Sequence, residues 1–154
     1  MPREELDQQL NMLQQDVATL AGVVEKAVQR AVDALKRRDL EASQQVVAED
    51  DYIDQKRFEI EDRCIDLIAT QQPMARDLRS IIALLHIGVE LERMGDYAEG
   101  IAKISLLMGD APPLKPLIDI PRMADKATVM LRDSMDSLLN RDLVKAQHVC
   151  QSDD

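Results

Sequence analysis

Apolar residues in the first quarter of the chain recur in steps of three and four: Leu10, Leu13, Val17, Leu20, Val24, Ala27, Ala31 and Ala34. That is a heptad seam, and it predicts a first helix from about Arg3 to Arg37 facing partner helices. Arg37 and Arg38 place positive charge at its C-terminal end, which the helix dipole favours. Asp39 reads as the N-cap of a second helix running from about Leu40 to Thr70. Along that helix Val46, Ile53, Ile60 and Leu67 form a column at seven-residue steps. Gln71-Gln72-Pro73 is a short turn, and Pro73 suits the first turn of a third helix that ends near Met108. The seam of the third helix is Leu84, Ile87, Leu91, Met94, Ala98 and Ile101. Gly88 and Gly95 weaken it by about 1 kcal/mol each relative to Ala. Their presence suggests close approach of another backbone or of a ligand.

Gly109 to Pro116 holds three prolines and cannot continue a helix. Beyond it the chain repeats itself. Arg38-Asp-Leu-Glu-Ala-Ser-Gln-Gln-Val-Val-Ala-Glu-Asp-Asp51 aligns with Arg141-Asp-Leu-Val-Lys-Ala-Gln-His-Val-Cys-Gln-Ser-Asp-Asp154 at an offset of 103 residues. The same offset carries the first seam onto Ile120, Met123, Ala127 and Met130. The expected organisation is therefore all-α: an antiparallel three-helix bundle over 1–109, a linker over 110–116, and an incomplete second copy of the bundle over 117–154. On this reading the chain is truncated within its second unit.

Composition sharpens the picture. The chain has 154 residues, a net charge of -10, a pI near 4.7 and only 2% aromatics. Few β-branched runs and no alternating pattern leave a helical bundle as the natural class. The negative charge disfavours nucleic acid, whose phosphates it repels, a basic amphipathic membrane anchor, and bulk binding of free phosphate. It suits cations or a basic protein surface. Cys64 and Cys150 form no metal-type pair and read as reduced, buried small residues. No apolar run approaches ~18 residues. With no signal peptide visible in Met1-Pro-Arg-Glu-Glu, a cytoplasmic location is expected.

The candidate chemistry lies in acids four residues apart. Asp50 and Asp54 are so spaced, and so are Glu92 and Asp96. On a helix each pair shares one face, where the carboxylates repel unless a cation intervenes. Two such pairs on neighbouring antiparallel helices offer oxygen ligands to a hard metal, against the simpler reading of a solvated acidic face. The wheel places Glu92 and Asp96 opposite their seam and Asp50 and Asp54 at the edge of theirs. Any ion would thus sit in an accessible groove between the second and third helices. A buried di-iron site needs Glu-x-x-His. Ala83 and Lys145 stand three residues before His86 and His148, so that site is absent. No Ser or Cys has a nucleophile's setting, and no Gly-rich phosphate loop is present.

Four segments in order carry a resemblance: Asp50-x-x-x-Asp54, Cys64-Ile-Asp-Leu-Ile-Ala, Gln72-Pro-Met-Ala-Arg-Asp-Leu-Arg79, and Leu91-Glu-Arg-Met-Gly-Asp-Tyr-Ala-x-x-Ile-Ala-Lys103. Together they resemble the PhoU family over about residues 10–154. The resemblance implies two similar three-helix bundles and a repeated Glu/Asp-x-x-x-Asp motif that binds metal clusters on the bundle surface. Here that motif falls on Asp50, Asp54, Glu92 and Asp96, with Fe, Mn, Mg or Zn as the candidate ions. It further implies a regulator that acts by binding rather than catalysis. Its partners would be the ATPase subunit of a phosphate ABC transporter and a phosphate-sensing histidine kinase. It would restrain the phosphate-starvation response, meet the membrane only through partners, and form a homo-oligomer. The missing third helix of the second unit puts a second metal site and partner binding in question. The alternative, from another class, is a metal-dependent phosphohydrolase or metal-carrying helical protein.

Overall fold

The structure is a computed structural model describing residues 2–153. Met1 lies outside the described residues, as does Asp154, which the repeat aligns with Asp51. Five helices are present among those residues and no strand: α1 (Pro2–Arg37), α2 (Leu40–Gln71), α3 (Arg76–Met108), α4 (Asp119–Asn140) and α5 (Leu143–Ser152). The all-α class read from the apolar periodicity is the observed one. The three long helices are 36, 32 and 33 residues long and pack on one another. Arg3 at the start of α1 donates to Asp77 at the start of α3 at 2.6 Å, so these two run together and α2 runs against both. Leu13, Leu20, Ile53, Ile60, Leu84 and Leu91, all seam positions, are buried in the shared core.

The seam of α3 departs from the expected one. Its buried residues are Ile81, Leu84, Gly88, Leu91, Gly95, Ala98, Ala102 and Ser105, while Ile87, Met94 and Ile101 are half-buried. Small residues take the innermost places facing α2. A reading that follows large apolar side chains alone cannot see glycine as an interface residue. The start of α3 also shifts. Gln72 closes α2 in the left-handed region (φ 46) and Ala75 is again at positive φ (45), so helical geometry begins at Arg76. Pro73 lies buried in the connection instead of in the first turn.

The junction between α1 and α2 recurs between α4 and α5. Arg38 and Arg141 both take positive φ, at 55 and 53, and Asp39 and Asp142 follow in extended backbone. Each aspartate caps its helix by accepting from the amide three residues on, Ala42 and Lys145, both at 3.0 Å. The amides of Asp39 and Asp142 donate back to the carbonyls of Ala34 and Ser137 at 3.0 and 2.9 Å. The partners in each pair stand 103 residues apart.

α4 docks on α1. Leu131 and Met135 join the main core, Thr128 is buried beside them, and Arg132 Nε donates to Glu25 at 2.6 Å. The strip used differs from the repeated seam: Ile120 and Met123 are exposed, and Ala127 and Met130 are half-buried. α1 already commits its seam to α2 and α3, so it offers α4 only a flank. α5 touches α4 alone and has no buried residue. Cys150 on it is exposed, contrary to expectation, because nothing covers that face; Cys64 is buried, its thiol pushed up to about 11 by burial.

Two outcomes follow from this packing. Leu91→Asp places an unpaired charge in the core and is expected to abolish cooperative thermal unfolding, whereas Val89→Asp, on the exposed face of the same helix, should stay within about 0.5 kcal/mol of the parent. Amide hydrogen exchange should be slow in α1 to α3, intermediate in α4 and fast in α5; equal protection of α5 and α2 would contradict the contact pattern.

Candidate metal centre

α2 meets α3 along two adjacent columns at seven-residue steps. One is the apolar column Val46, Ile53, Ile60 and Leu67. The other is Ser43, Asp50, Arg57 and Cys64, which also points at the interface. Asp50 therefore occupies a core position and is buried, with only 8% of its surface exposed. The expectation of an edge position with free access fails for this residue. Polar residues inside the seam repeat were the available signal.

Gly95 makes the burial possible. A Cβ there would stand 3.1 Å from both Cδ1 and Cγ2 of Ile53 and 3.6 Å from Oδ1 of Asp50. Gly88 is different: an added Cβ would meet Ile60 at 3.6 Å and Arg57 at 3.9 Å, ordinary contact distances. Of the two glycines, Gly95 is the one that closes the helices together.

Across that contact Asp50 of α2 converges with Asp96 and Glu99 of α3. One carboxylate oxygen from each lies within 4.8 Å of the others. Glu99 was not among the expected residues. It lies three residues beyond Asp96, so the i, i+3 spacing, and not only i, i+4, carried the signal. Oδ1 of Asp50 and Oδ1 of Asp54 are both buried without a hydrogen-bond partner. Asp54 is half-buried beside the group. Glu92 is not brought into it: Arg57 Nε donates to Glu92, and Arg57 Nη1 donates to Glu61 at 2.5 Å. Lys103 sits at 2.6 Å from Glu99 on the exposed side.

Electrostatics reflect this crowding. Burial, then the charges of Glu99 and Asp54, a hydrogen bond with Glu99 and the charge of Asp96 push the Asp50 carboxyl up to about 7. Burial raises Asp54 as well, assisted by Glu92, Asp96, Asp51 and Glu99. Without a cation, this crowding favours the protonated form of Asp50 over a wider pH range than an ordinary aspartate has.

The donors are all carboxylate oxygens, with no histidine or cysteine among them. That set fits hard, oxygen-preferring ions such as Mg or Mn better than zinc, which favours nitrogen and sulfur. The unpartnered, buried Oδ1 of Asp50 is the kind of atom a bound cation satisfies.

Residues 17–105 match the PhoU domain family, a stretch that contains all of these acids. The chain belongs to the PhoU family. It is 38% identical over 149 residues to the phosphate-specific transport system accessory protein PhoU homolog of Aquifex aeolicus, covering 97% of this chain and 67% of that protein. It is 34% identical to the protein of the same description from Clostridium acetobutylicum, covering 100% of this chain and 71% of that one. Among solved structures it is similar to PhoU from Pseudomonas aeruginosa (TM-score 0.90, 29% identity), covering 96% of this chain and 71% of that one. The phosphate transport system regulatory protein PhoU from Streptococcus pneumoniae superimposes with a TM-score of 0.88 at 29% identity, covering 96% and 70%.

The two glycines should respond differently to alanine. Gly88→Ala is expected to stabilise the protein by up to about 1 kcal/mol through helix propensity. Gly95→Ala presses on a buried, β-branched neighbour and is expected to lose about 1–3 kcal/mol, offsetting that gain. Denaturant melts of the two variants measure the difference; equal stabilisation by both would contradict the close approach.

A pH dependence follows from the raised Asp50 carboxyl. Its folded value lies above the unfolded one, so the metal-free fold binds the extra proton between about pH 4 and 7. The contribution of that proton is fully present below pH 4 and is lost as pH rises through 7. In chelator, Asp50→Asn is therefore expected to melt several degrees above the parent at pH 8 and close to it at pH 4. A parent melting temperature equal to that of the variant at pH 8 would contradict the assignment.

Proposed function

We propose that this chain is a regulatory binding protein of phosphate transport that carries a metal ion on Asp50, Asp96 and Glu99, with Asp54 beside it. The observation that carries the metal reading is the buried carboxylate of Asp50, whose Oδ1 has no protein partner. An anion in that position, crowded by Asp96 and Glu99, is stabilised by a cation between the helices. When bound, the ion would supply positive charge that ties α2 to α3. The chain's own residues hold it: Asp50 from the inside, Asp96 and Glu99 from the rim, with Lys103 the group that must yield its hold on Glu99.

The transport role rests on family membership and on relatives described as phosphate-specific transport system accessory proteins. On this reading the chain works in the cytoplasm through the ATPase subunit of a phosphate transporter and a phosphate-sensing histidine kinase, and it acts by association and not by turnover. Among the described residues no helix is long and apolar enough to cross a membrane, which suits a protein that reaches the transporter by docking. A metal-dependent hydrolase needs an acid or base in a substrate cleft; the raised carboxyl here is buried under Gly95 and Ile53 instead.

Thermal melts with Mn²⁺ or Mg²⁺ test the site. Metal at about 100 times its Kd is expected to add about 2.7 kcal/mol to the parent, and Asp96→Asn should lose that gain while melting normally in chelator. Equal metal-induced shifts in both would place the ion elsewhere. Hydrolysis of p-nitrophenyl phosphate by the Mn²⁺-loaded protein, abolished by Asp96→Asn, would favour the hydrolase reading over the binding one.

A further inference from the structure

Five carboxylates line the α2–α3 contact: Asp50, Asp54, Glu92, Asp96 and Glu99. Only three of them converge. Five oxygen-donor side chains are enough to hold two ions about 3.5–4 Å apart, and Asp54, with its unpartnered Oδ1, is available to a second one. What separates Glu92 from the group is Arg57.

We propose that Arg57 is a built-in cation that limits this acidic group to a single metal ion, by holding Glu92 in an ion pair next to Asp54 where a second ion would need its oxygens. The inference rests on the metal reading above and sets its stoichiometry.

Arg57 is fixed from several sides. It lies one turn beyond Asp54 in the column that faces α3. Its side chain is only 19% exposed. Nε donates to Glu92 across the interface and Nη1 to Glu61 on its own helix. The stem runs past Gly88, its Cγ 3.9 Å from where a Cβ on that residue would stand. The guanidinium carbon lies 4.3 Å from the centre of the Phe58 ring. Guanidinium keeps its charge at any ordinary pH, and its planar fork is already satisfied by two carboxylates. Displacing it would leave a partly buried charge without its partners, which the fold resists.

Lys103 is the contrasting case. It pairs with Glu99, but its side chain is 57% exposed on a flexible stem, and one ion pair holds it. An exposed pair of this kind contributes little. An incoming ion therefore displaces Lys103 from Glu99 and leaves Arg57 on Glu92. One cation of the chain guards the site loosely, and the other closes off its far end.

The test is a count of ions in the full chain. Parent protein is loaded with Mn²⁺, desalted, and measured by native mass spectrometry and by elemental analysis. The expected ratio is one ion per chain. Arg57→Gln, which frees Glu92, is expected to hold two, and the double variant Arg57→Gln with Glu92→Gln should return to one. A single ion in Arg57→Gln overturns the inference, as do two or more ions in the parent, which would leave the metal reading standing. No ion in the parent removes both. Glu92→Gln alone gives a check that does not depend on the folding of the arginine variant: its Mn²⁺ affinity should stay within about twofold of the parent, since Glu92 is not a ligand. A tenfold loss (about 1.4 kcal/mol) would make Glu92 a ligand and overturn the assignment.

Discussion

The close approach of α2 to α3 at Gly95 is the contact on which the chemistry of this protein depends. Ile53 presses against the space where a side chain on Gly95 would stand, and Asp50, one turn away, is carried inward with it. The result is a carboxylate at a core position, facing Asp96 and Glu99 across the interface. An apolar residue at position 50 would give a more stable bundle in isolation. The fold instead holds an anion that is satisfied only by a proton or a cation. The two positive side chains nearby divide the work: Arg57 neutralises one end of the acidic column permanently, and Lys103 covers the other from solvent.

Away from that contact the architecture is built from one reversal used twice. A residue at positive φ, an aspartate cap and a new helix turn the chain at Arg38-Asp39 and again at Arg141-Asp142. The first reversal lays α2 along a long helix with a core to bury. The second launches α5, which meets only α4. Sequence similarity within the chain thus fixes a local geometry, while the depth of packing depends on what stands opposite each copy. α4 shows the same effect: it presents a heptad strip, yet it docks through the neighbouring one because α1 has only a flank left to give.

Helix existence, class and the Asp39 cap were legible in the sequence because they follow from local rules: step-three-and-four apolar spacing, aspartate before a helix, proline in the linker. The positions of Leu13, Leu20, Ile53, Ile60, Leu84 and Leu91 followed from the same periodicity. The acidic pairs were also visible, and Asp50 and Asp96 do meet. What escaped was the rotation of α3, since that depends on Gly88, Gly95 and Ala102 serving as interface residues through their smallness. With the helix rotated, Glu99 enters the group and Glu92 turns toward Arg57. Cross-helix ion pairs such as Arg57 with Glu92 have no signature in spacing along one chain segment; they require knowing which faces touch. Family membership gave the class of role without that geometry.

The central claim is that the buried Asp50 and the rim acids Asp96 and Glu99 are the ligands of one cation. Crystals of the full chain grown with Mn²⁺ and measured on both sides of the manganese absorption edge locate the ion directly. The account predicts one anomalous peak per chain, about 2.0–2.3 Å from oxygens of Asp50, Asp96 and Glu99, with Arg57 still paired to Glu92. A peak bound by Glu92 and away from Asp50, or an ordered chain without a peak in the group, would contradict it.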